Sequence, residues 1–194
     1  MSERPACILR WTEVEGPDDS HYEGDDELMS VGAPLARSLG LTRLGIHHER
    51  LPPGRRTSYP HAERDEEEFV LVLEGTPDVW LDGHLHRLAP GDAVGFPAGT
   101  GLAHAVLNDT DEEVRLLVVG EASRQGSRVA YPLNPEQGGR DDRWDDAPAR
   151  DLGPHDGLTR ARRAARDGQD PASPRREPSS EASPRRPKAR CCGA

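Results

Sequence analysis

The segment from Pro60 to Asn108, PHAERDEEEFVLVLEGTPDVWLDGHLHRLAPGDAVGFPAGTGLAHAVLN, decides the fold class of this chain. Short apolar runs alternate in it with glycine, proline and charged residues, which is typical of strands joined by turns. The clearest local signal is DVWLDGHLHRL, in which Asp82-Gly83 predicts a type I′ hairpin turn between two strands. The run EFVLVLEG, bounded by charge and by Gly75, predicts a buried strand.

Further strands are predicted on both sides of this segment. LTRLGIHHERL alternates before the Pro-Pro-Gly turn at residues 52–54, and EVRLLVVGE follows a turn at residues 108–111. CILRW and RVAYPLNP could each add a short strand, and GAPLARSLG could hold a helical turn that ends at Gly40. Many short strands with glycine and proline between them favour a jelly roll or a closed sandwich. We therefore expect an all-β protein.

Two histidines and two glutamates of the same segment could bind one metal ion. His61 and Glu63 are two residues apart and would project from one face of an extended strand. Glu68 begins the apolar run, and His104 precedes a second short apolar run. First-row divalent metals accept imidazole nitrogen and carboxylate oxygen, so these four side chains are chemically sufficient for a site. The spacing alone does not bring them together.

The pattern resembles the two motifs of the cupin superfamily, G-x5-H-x-H-x3,4-E-x6-G and G-x5-P-x-G-x2-H-x3-N. The residues at the first motif are Gly54, His61, Glu63, Glu68 and Gly75. Those at the second are Gly91, Pro97, Gly99, His104 and Asn108. His61 comes one residue late after Gly54, His104 comes two residues late after Gly99, and Glu63 replaces the second His. The resemblance covers roughly residues 41–121.

The resemblance implies a double-stranded β-helix barrel, a jelly roll, whose open mouth holds a metal and a ligand. The family's usual three-His-one-Glu set becomes two His and two Glu, namely His61, Glu63, Glu68 and His104. Carboxylate ligands favour divalent Mn, Fe, Co, Ni or Zn. If Glu63 instead faces solvent, the remaining two-His-one-carboxylate set suits non-haem iron or Lewis-acid chemistry. The resemblance also implies a homodimer built by strand exchange or edge packing, and it implies no particular substrate.

Other side chains could line the mouth of the barrel. His84 and His86 alternate after the hairpin turn and would face one side together, most simply toward solvent. His47 and His48 are adjacent, so at most one of them can face the interior. Three aromatic side chains could line the pocket or belong to the core: Tyr59, Trp80 and Phe96.

Charge divides the chain into an acidic body and a basic tail. Residues 160–194 contain ten Lys or Arg and four Asp or Glu, whereas residues 1–159 contain 15 basic and 31 acidic side chains. The tail therefore carries +6 and the body −16, which together make the −10 of the whole chain. An acidic body argues against nucleic acid as a partner of the barrel, because phosphate contacts need clustered Lys and Arg.

The organisation along the chain follows from composition. No apolar run could span a bilayer, the N-terminus has no signal-peptide core, and the three cysteines form no disulfide framework, so we expect a cytoplasmic protein. Trp144 and Leu152 could anchor a C-terminal arm on the barrel. The expected parts are an approach segment at 1–40, the cupin barrel at 41–135, the arm at 136–159 and a disordered basic Arg/Pro/Ser-rich tail at 160–194.

Three functions remain open at this stage. The first is a metal-dependent small-molecule enzyme such as an oxygenase, isomerase, epimerase or decarboxylase. The second is a non-catalytic protein that binds a small ligand, and the third is an interaction module whose metal site is degenerate. The sequence has no nucleophile elbow, phosphate loop or dinucleotide motif, and no general acid or base apart from the ligands themselves. We therefore expect a metal-binding barrel that acts on or binds a small molecule, with catalysis unassigned.

Overall fold

The computed structural model describes residues 4–122, 126–137 and 142–168. These residues form mostly β structure, with ten strands, two short α-helices and a 3₁₀ turn at Trp11–Glu13. The strands are β1 Val31–Pro34, β2 Leu44–Leu51, β3 Ala62–Glu63, β4 Glu68–Glu74, β5 Asp78–Leu81, β6 His84–Arg87, β7 Ala93–Phe96, β8 His104–Leu107, β9 Val114–Glu121 and β10 Val129–Ala130. The helices are α1 Leu35–Ser38 and α2 Arg160–Arg166.

Two antiparallel sheets share one core. The larger sheet has the order β1-β2-β9-β4-β7, and the smaller has the order β6-β5-β8. Alternate side chains from both sheets point inward, because successive residues of a strand face opposite sides. The fully buried members of this core are Leu51, Val70, Val72, Val79, Phe96, Val106, Val114 and Leu116.

The expectation of a closed barrel needs correction, because continuous strand pairing does not join the two sheets. β3 and β10 form a separate two-stranded sheet. The segment before β3 meets β8 through isolated bridges, which pair Arg56 with Leu107 and His61 with His104. Residues 57–60, which lie between these bridges, form bends and no strand, so the pairing with β8 is interrupted there. The structure is therefore an antiparallel two-sheet β fold with one open side.

The hairpin that the sequence predicts is confirmed. β5 and β6 pair from Asp78 with Arg87 to Leu81 with His84. The two turn residues both have positive φ, 42° for Asp82 and 86° for Gly83, as a type I′ turn requires. The predicted buried strand is also present as β4, whose Val70 and Val72 lie in the core.

The N-terminal residues differ from the prediction. CILRW forms no strand; it leads into the 3₁₀ turn, where the Glu13 carboxylate accepts a hydrogen bond from the Arg10 amide. The first strand is instead β1, which the sequence analysis did not predict. β1 pairs with β2 and buries Val31 and Ala33. The expected helical turn is present as α1.

The chain after β10 covers the outer face of the smaller sheet. Trp80 and Leu107 point outward from that sheet and pack with Trp144 in a second apolar cluster. The indole N–H of Trp80 donates to the His155 carbonyl over 3.0 Å. Of the two anchors expected from the sequence, Trp144 is buried, whereas Leu152 is 41% exposed.

The expected start of a disordered tail at residue 160 also needs correction. Arg160–Arg166 forms α2, whose first turn is capped by the Thr159 hydroxyl, which accepts from the Arg162 amide. Arg162 forms ion pairs with Asp25, with Asp26 at 3.0 Å and with Glu27 at 3.5 Å, so the helix is held on the N-terminal segment. Residues 169–194, which make up the rest of the predicted tail, lie outside the described residues. None of the described helices has the length and apolar character needed to cross a membrane.

Candidate metal centre

Three of the four predicted ligands lie together at the open end of the core. His61 and His104 face each other through paired backbone hydrogen bonds of 3.1 and 2.9 Å, which place their imidazole centroids 4.7 Å apart. Glu68 begins β4 in the opposite sheet, and its Oε2 atom lies 3.6 Å from His104 Nε2. One ligating atom from each of the three side chains lies within 4.8 Å of the other two. The cluster therefore combines two sheets, and no local segment could form it.

Both histidines are oriented as metal ligands usually are. His61 Nδ1 lies 2.9 Å from the Tyr59 carbonyl, and His104 Nδ1 lies 3.3 Å from the Leu102 carbonyl. A carbonyl only accepts hydrogen bonds, so Nδ1 carries the proton and the lone pair of Nε2 faces the cluster. His104 Nε2 is buried and has no hydrogen-bond partner among the described residues. A buried acceptor without a partner is costly, and a cation at this position would satisfy it.

The electrostatics of the cluster also fit a cation. Burial, reinforced by the neighbouring His104, lowers the pKa of His61 to about 4, so its imidazole is neutral near pH 7. Burial favours the neutral form of Glu68, but the imidazoles of His104 and His61 outweigh burial and hold its pKa below the usual value. A neutral imidazole at His61 and a carboxylate at Glu68 are the forms in which these groups bind a divalent metal.

Glu63 lies beside this cluster but is not one of the three residues whose ligating atoms lie within 4.8 Å of one another. Its Oε1 atom is 3.8 Å from His61 Nε2, and its Oε2 atom is buried without a hydrogen-bond partner among the described residues. Burial raises the pKa of Glu63 to about 7, and the nearby carboxylates of Glu66, Glu68 and Asp65 add to this shift. The assignment of Glu63 as a fourth ligand stays a prediction.

The aromatic residues divide between the site and the core. The Phe96 ring stacks on the imidazole of His104, whereas Trp80 belongs to the outer cluster. The Tyr59 hydroxyl donates to Asp25 and does not reach the site. Tyr131 does lie beside it, with its ring centroid 5.9 Å from that of His61. Sequence reasoning missed Tyr131, because RVAYPLNP has the pattern of any short strand.

The remaining histidines are sorted by strand alternation. His48 faces outward and stacks on Trp11 with 4.1 Å between ring centroids, so it does not face the site. His47 and Glu49 lie on the other face of β2 and line a cavity of about 160 Å³ that Glu63 and Glu68 also line. His84 and His86 are exposed on β6, as the simpler prediction held. Glu49 was missed, since a lone acidic residue in HHERL gives no signal of an inward orientation.

Comparison with known proteins identifies the family to which this chain is similar. A family model described as "Cupin domain" matches residues 47–120. A solved structure from Acidithiobacillus ferrooxidans, provisionally named a sugar phosphate isomerase, is 30% identical over 66% of this chain and 81% of that chain, with a TM-score of 0.58. A sugar phosphate isomerase of the cupin superfamily from Silicibacter pomeroyi is 34% identical over 53% of this chain and 64% of that chain, with a TM-score of 0.50.

The chain belongs to the cupin superfamily, as a small cupin-domain protein. Among curated proteins it is similar to quercetin 2,3-dioxygenase of Bacillus subtilis, with 28% identity over 43% of this chain. The chain spans only a quarter of the length of that enzyme and about two thirds of the Silicibacter protein. The similarity to these proteins therefore concerns only part of their length.

Proposed function

We propose that this protein binds a divalent transition metal through His61, Glu68 and His104 and binds a small molecule on that metal. The observation that carries the proposal is the convergence of three ligating atoms from three separate places in the chain: His61 just before β3, Glu68 at the start of β4 and His104 at the start of β8. The unpartnered Nε2 atom of His104 supports it, since a bound cation would supply the missing partner. The donor set of imidazole and carboxylate is compatible with Mn, Fe, Co, Ni or Zn.

Glu63 is proposed as a fourth ligand or as a neighbour of the bound small molecule. Its Oε1 atom is close enough to His61 for a modest rotation to bring it to the same ion. A three-residue set leaves more coordination positions open for a ligand than a four-residue set does. When bound, the ion would act as a Lewis acid toward an oxygen atom of the small molecule.

Isomerisation is the activity that we propose to test first. Two solved structures with at least 30% identity carry names of isomerases. The residues of this chain would orient the substrate: Phe96 and Tyr131 provide apolar surfaces next to the histidines. Burial of His104 and of the Glu63 Oε2 atom limits access of water to the same region. The homodimer that the resemblance implies remains a prediction, which light scattering of the purified chain would test.

Elemental analysis tests the metal proposal directly. The protein is purified without chelator or affinity metal, beside H104A, E68Q, E63Q and the control H84A, whose histidine is exposed on β6. We expect about one equivalent of a transition metal in the parent and in H84A, and loss of the metal in H104A and E68Q. Retention of metal by E63Q at the parent's affinity would limit the ligand set to three residues.

The result must also separate ligation from folding. Circular dichroism of H104A should show the parent's β signature, because the apolar core between the two sheets does not include the histidine. If neither the parent nor H84A binds metal after reconstitution with Mn²⁺, Fe²⁺, Co²⁺, Ni²⁺ or Zn²⁺, the metal proposal is wrong. The non-catalytic alternative, a small-ligand-binding or interaction module with a degenerate site, would then stand in its place.

A further inference from the structure

The cavity beside the candidate metal centre is walled by carboxylates. This acidic cavity has a volume of about 160 Å³. Besides two glycines and a valine, its lining consists of His47 and six glutamates, namely Glu49, Glu63, Glu66, Glu67, Glu68 and Glu121. An adjoining cavity of about 400 Å³ shares three of these glutamates, and its other lining residues are apolar or glycine. Within the described part of the chain, no Lys or Arg lines either cavity.

Two buried atoms show that this space is built for a bound group. His104, with a side chain only 3% exposed, directs an unpartnered Nε2 into the cluster. The Oε2 atom of Glu63 is also buried and accepts no hydrogen bond from any described residue. An acceptor in this position is satisfied by a hydrogen-bond donor and is destabilised by another anion.

Strand register places two glycines in the row next to Glu68. Its partner across the ladder in β9 is Gly120, and the partner of Gly120 in β2 is Gly45. Both glycines line the acidic cavity. Across the large sheet, Glu68 is therefore followed by two residues without side chains, Gly120 and Gly45. Backbone carbonyl groups lie close to both glycines, 3.0 Å from the Cβ position of Gly45 and 3.3 Å from that of Gly120. A small molecule would therefore reach Glu68 through the cavity itself, past the carboxylates of its wall.

We infer that the cavity accepts a neutral or cationic small molecule that carries hydroxyl or amine donors, and that it rejects phosphorylated and other multiply anionic molecules. A divalent ion would offset two negative charges, and the carboxylates of the wall remain in excess even though Glu49 and Glu63, whose pKa values are about 7, are partly protonated at neutral pH. Fixed charges of one sign in a cleft lower the local concentration of ligands of that sign. This selectivity differs from that expected of a sugar phosphate isomerase. The inference rests on the proposed function, because the bound metal would anchor the ligand in the cavity.

Two small probes that bind metals test the inference without knowledge of the substrate. Co²⁺ is loaded into the parent protein, and its visible absorption is titrated with imidazole, which is neutral when it coordinates, and with inorganic phosphate. The test variant is E66K/E67K, which reverses two charges of the cavity wall. The control is E23K/E136K, which changes the net charge equally at two exposed positions that line neither cavity.

We expect phosphate to bind E66K/E67K at least about tenfold more tightly than the parent, while imidazole affinity changes little. The E23K/E136K control should resemble the parent, since exposed charges far from the cavity are screened by salt. Equal phosphate affinity in the parent and E66K/E67K would overturn the inference even though cobalt is bound. Absence of the cobalt spectrum from the parent would contradict the proposed function itself, and the inference with it.

Discussion

The ring of Phe96 lies flat against the imidazole of His104, with 3.6 Å between the ring centroids and 5° between the planes. Phe96 ends β7 in the larger sheet, and His104 begins β8 in the smaller one. The stack therefore holds a candidate ligand of one sheet against the core of the other. A second contact holds the same imidazole by its Nδ1 atom, at the Leu102 carbonyl.

Replacement of Phe96 by Leu should weaken metal binding by about twofold to tenfold. An aromatic stack stabilises its partner by about 0.5–1.5 kcal/mol, and loss of it lets the imidazole rotate away from the ion. The dissociation constant for Zn²⁺, measured by competition with a chromophoric chelator, checks this. The matched control is F69L, because Phe69 lies in β4 on the outer face and is 40% exposed. Equal affinity in F96L and F69L would show that the stack does not position the ligand.

The free energy of unfolding should fall as the pH rises from 4.5 to 7, because Glu49 is buried in the folded protein. Burial raises the pKa of this carboxyl from 4.5 to about 7, while the Ser30 hydroxyl, which donates over 2.7 Å, partly opposes the shift. Between these pH values the folded chain keeps a proton that the unfolded chain has released, so the free energy of unfolding falls as the pH rises. Above pH 7 the loss is complete, at roughly 1–3 kcal/mol.

The variant E49Q removes this titration and should gain stability over the parent between pH 4.5 and 7. Urea denaturation of both proteins across that range measures the difference. Glu63 titrates in both proteins, so its contribution cancels when they are compared. The control E136Q alters an exposed carboxylate and should follow the parent at every pH. A constant offset between E49Q and the parent would refute the assigned pKa.

Replacement of Gly83 by Ala should destabilise the protein far more than replacement of Gly91. Both glycines have positive φ, 86° and 94°, so the backbone strain of the two substitutions is similar. A Cβ atom on Gly83 would lie 2.4 Å from the backbone of Gly153, whereas a Cβ on Gly91 would meet nothing within 4 Å. We expect about 2 kcal/mol of additional destabilisation in G83A, measured by thermal unfolding. Similar losses in both variants would mean that the C-terminal arm does not pack on the hairpin turn.

Replacement of Arg162 by Ala should lower the melting temperature by about 2–4 °C. Its guanidinium joins α2 to three carboxylates of the N-terminal segment, and such a network stabilises by about 1 kcal/mol. The control R166A removes an arginine from the same helix, whose ion pairs among the described residues are with Asp156 and Asp167. R162A should also lose part of its stabilisation in 1 M NaCl, because salt screens partly exposed pairs. Equal melting temperatures for the two variants would place α2 outside the cooperative fold.

Local patterns in the sequence predicted the β-strands and the hairpin turn well. Asp82-Gly83 imposes a turn through its backbone preferences, which do not depend on distant residues. The apolar run of β4 and the alternation of β2 are likewise local properties. Two errors show the limit of such local patterns. Strand β1 was missed because it forms by pairing with β2, and CILRW forms no strand because the Arg10 amide donates to Glu13 in a 3₁₀ turn.

The sequence by itself determined the strand pattern, the turn chemistry and the types of residue available for a metal site, because these depend on neighbours along the chain. Only the tertiary structure decided that His61, Glu68 and His104 meet, because they come from three separate segments of the chain, whose distances depend on sheet packing. It also brought Glu49 and Tyr131 to the same region and placed α2 on the N-terminal segment. Contacts between residues far apart in the chain depend on how whole sheets pack and on which charged side chains they bring together, and no local sequence pattern predicts this.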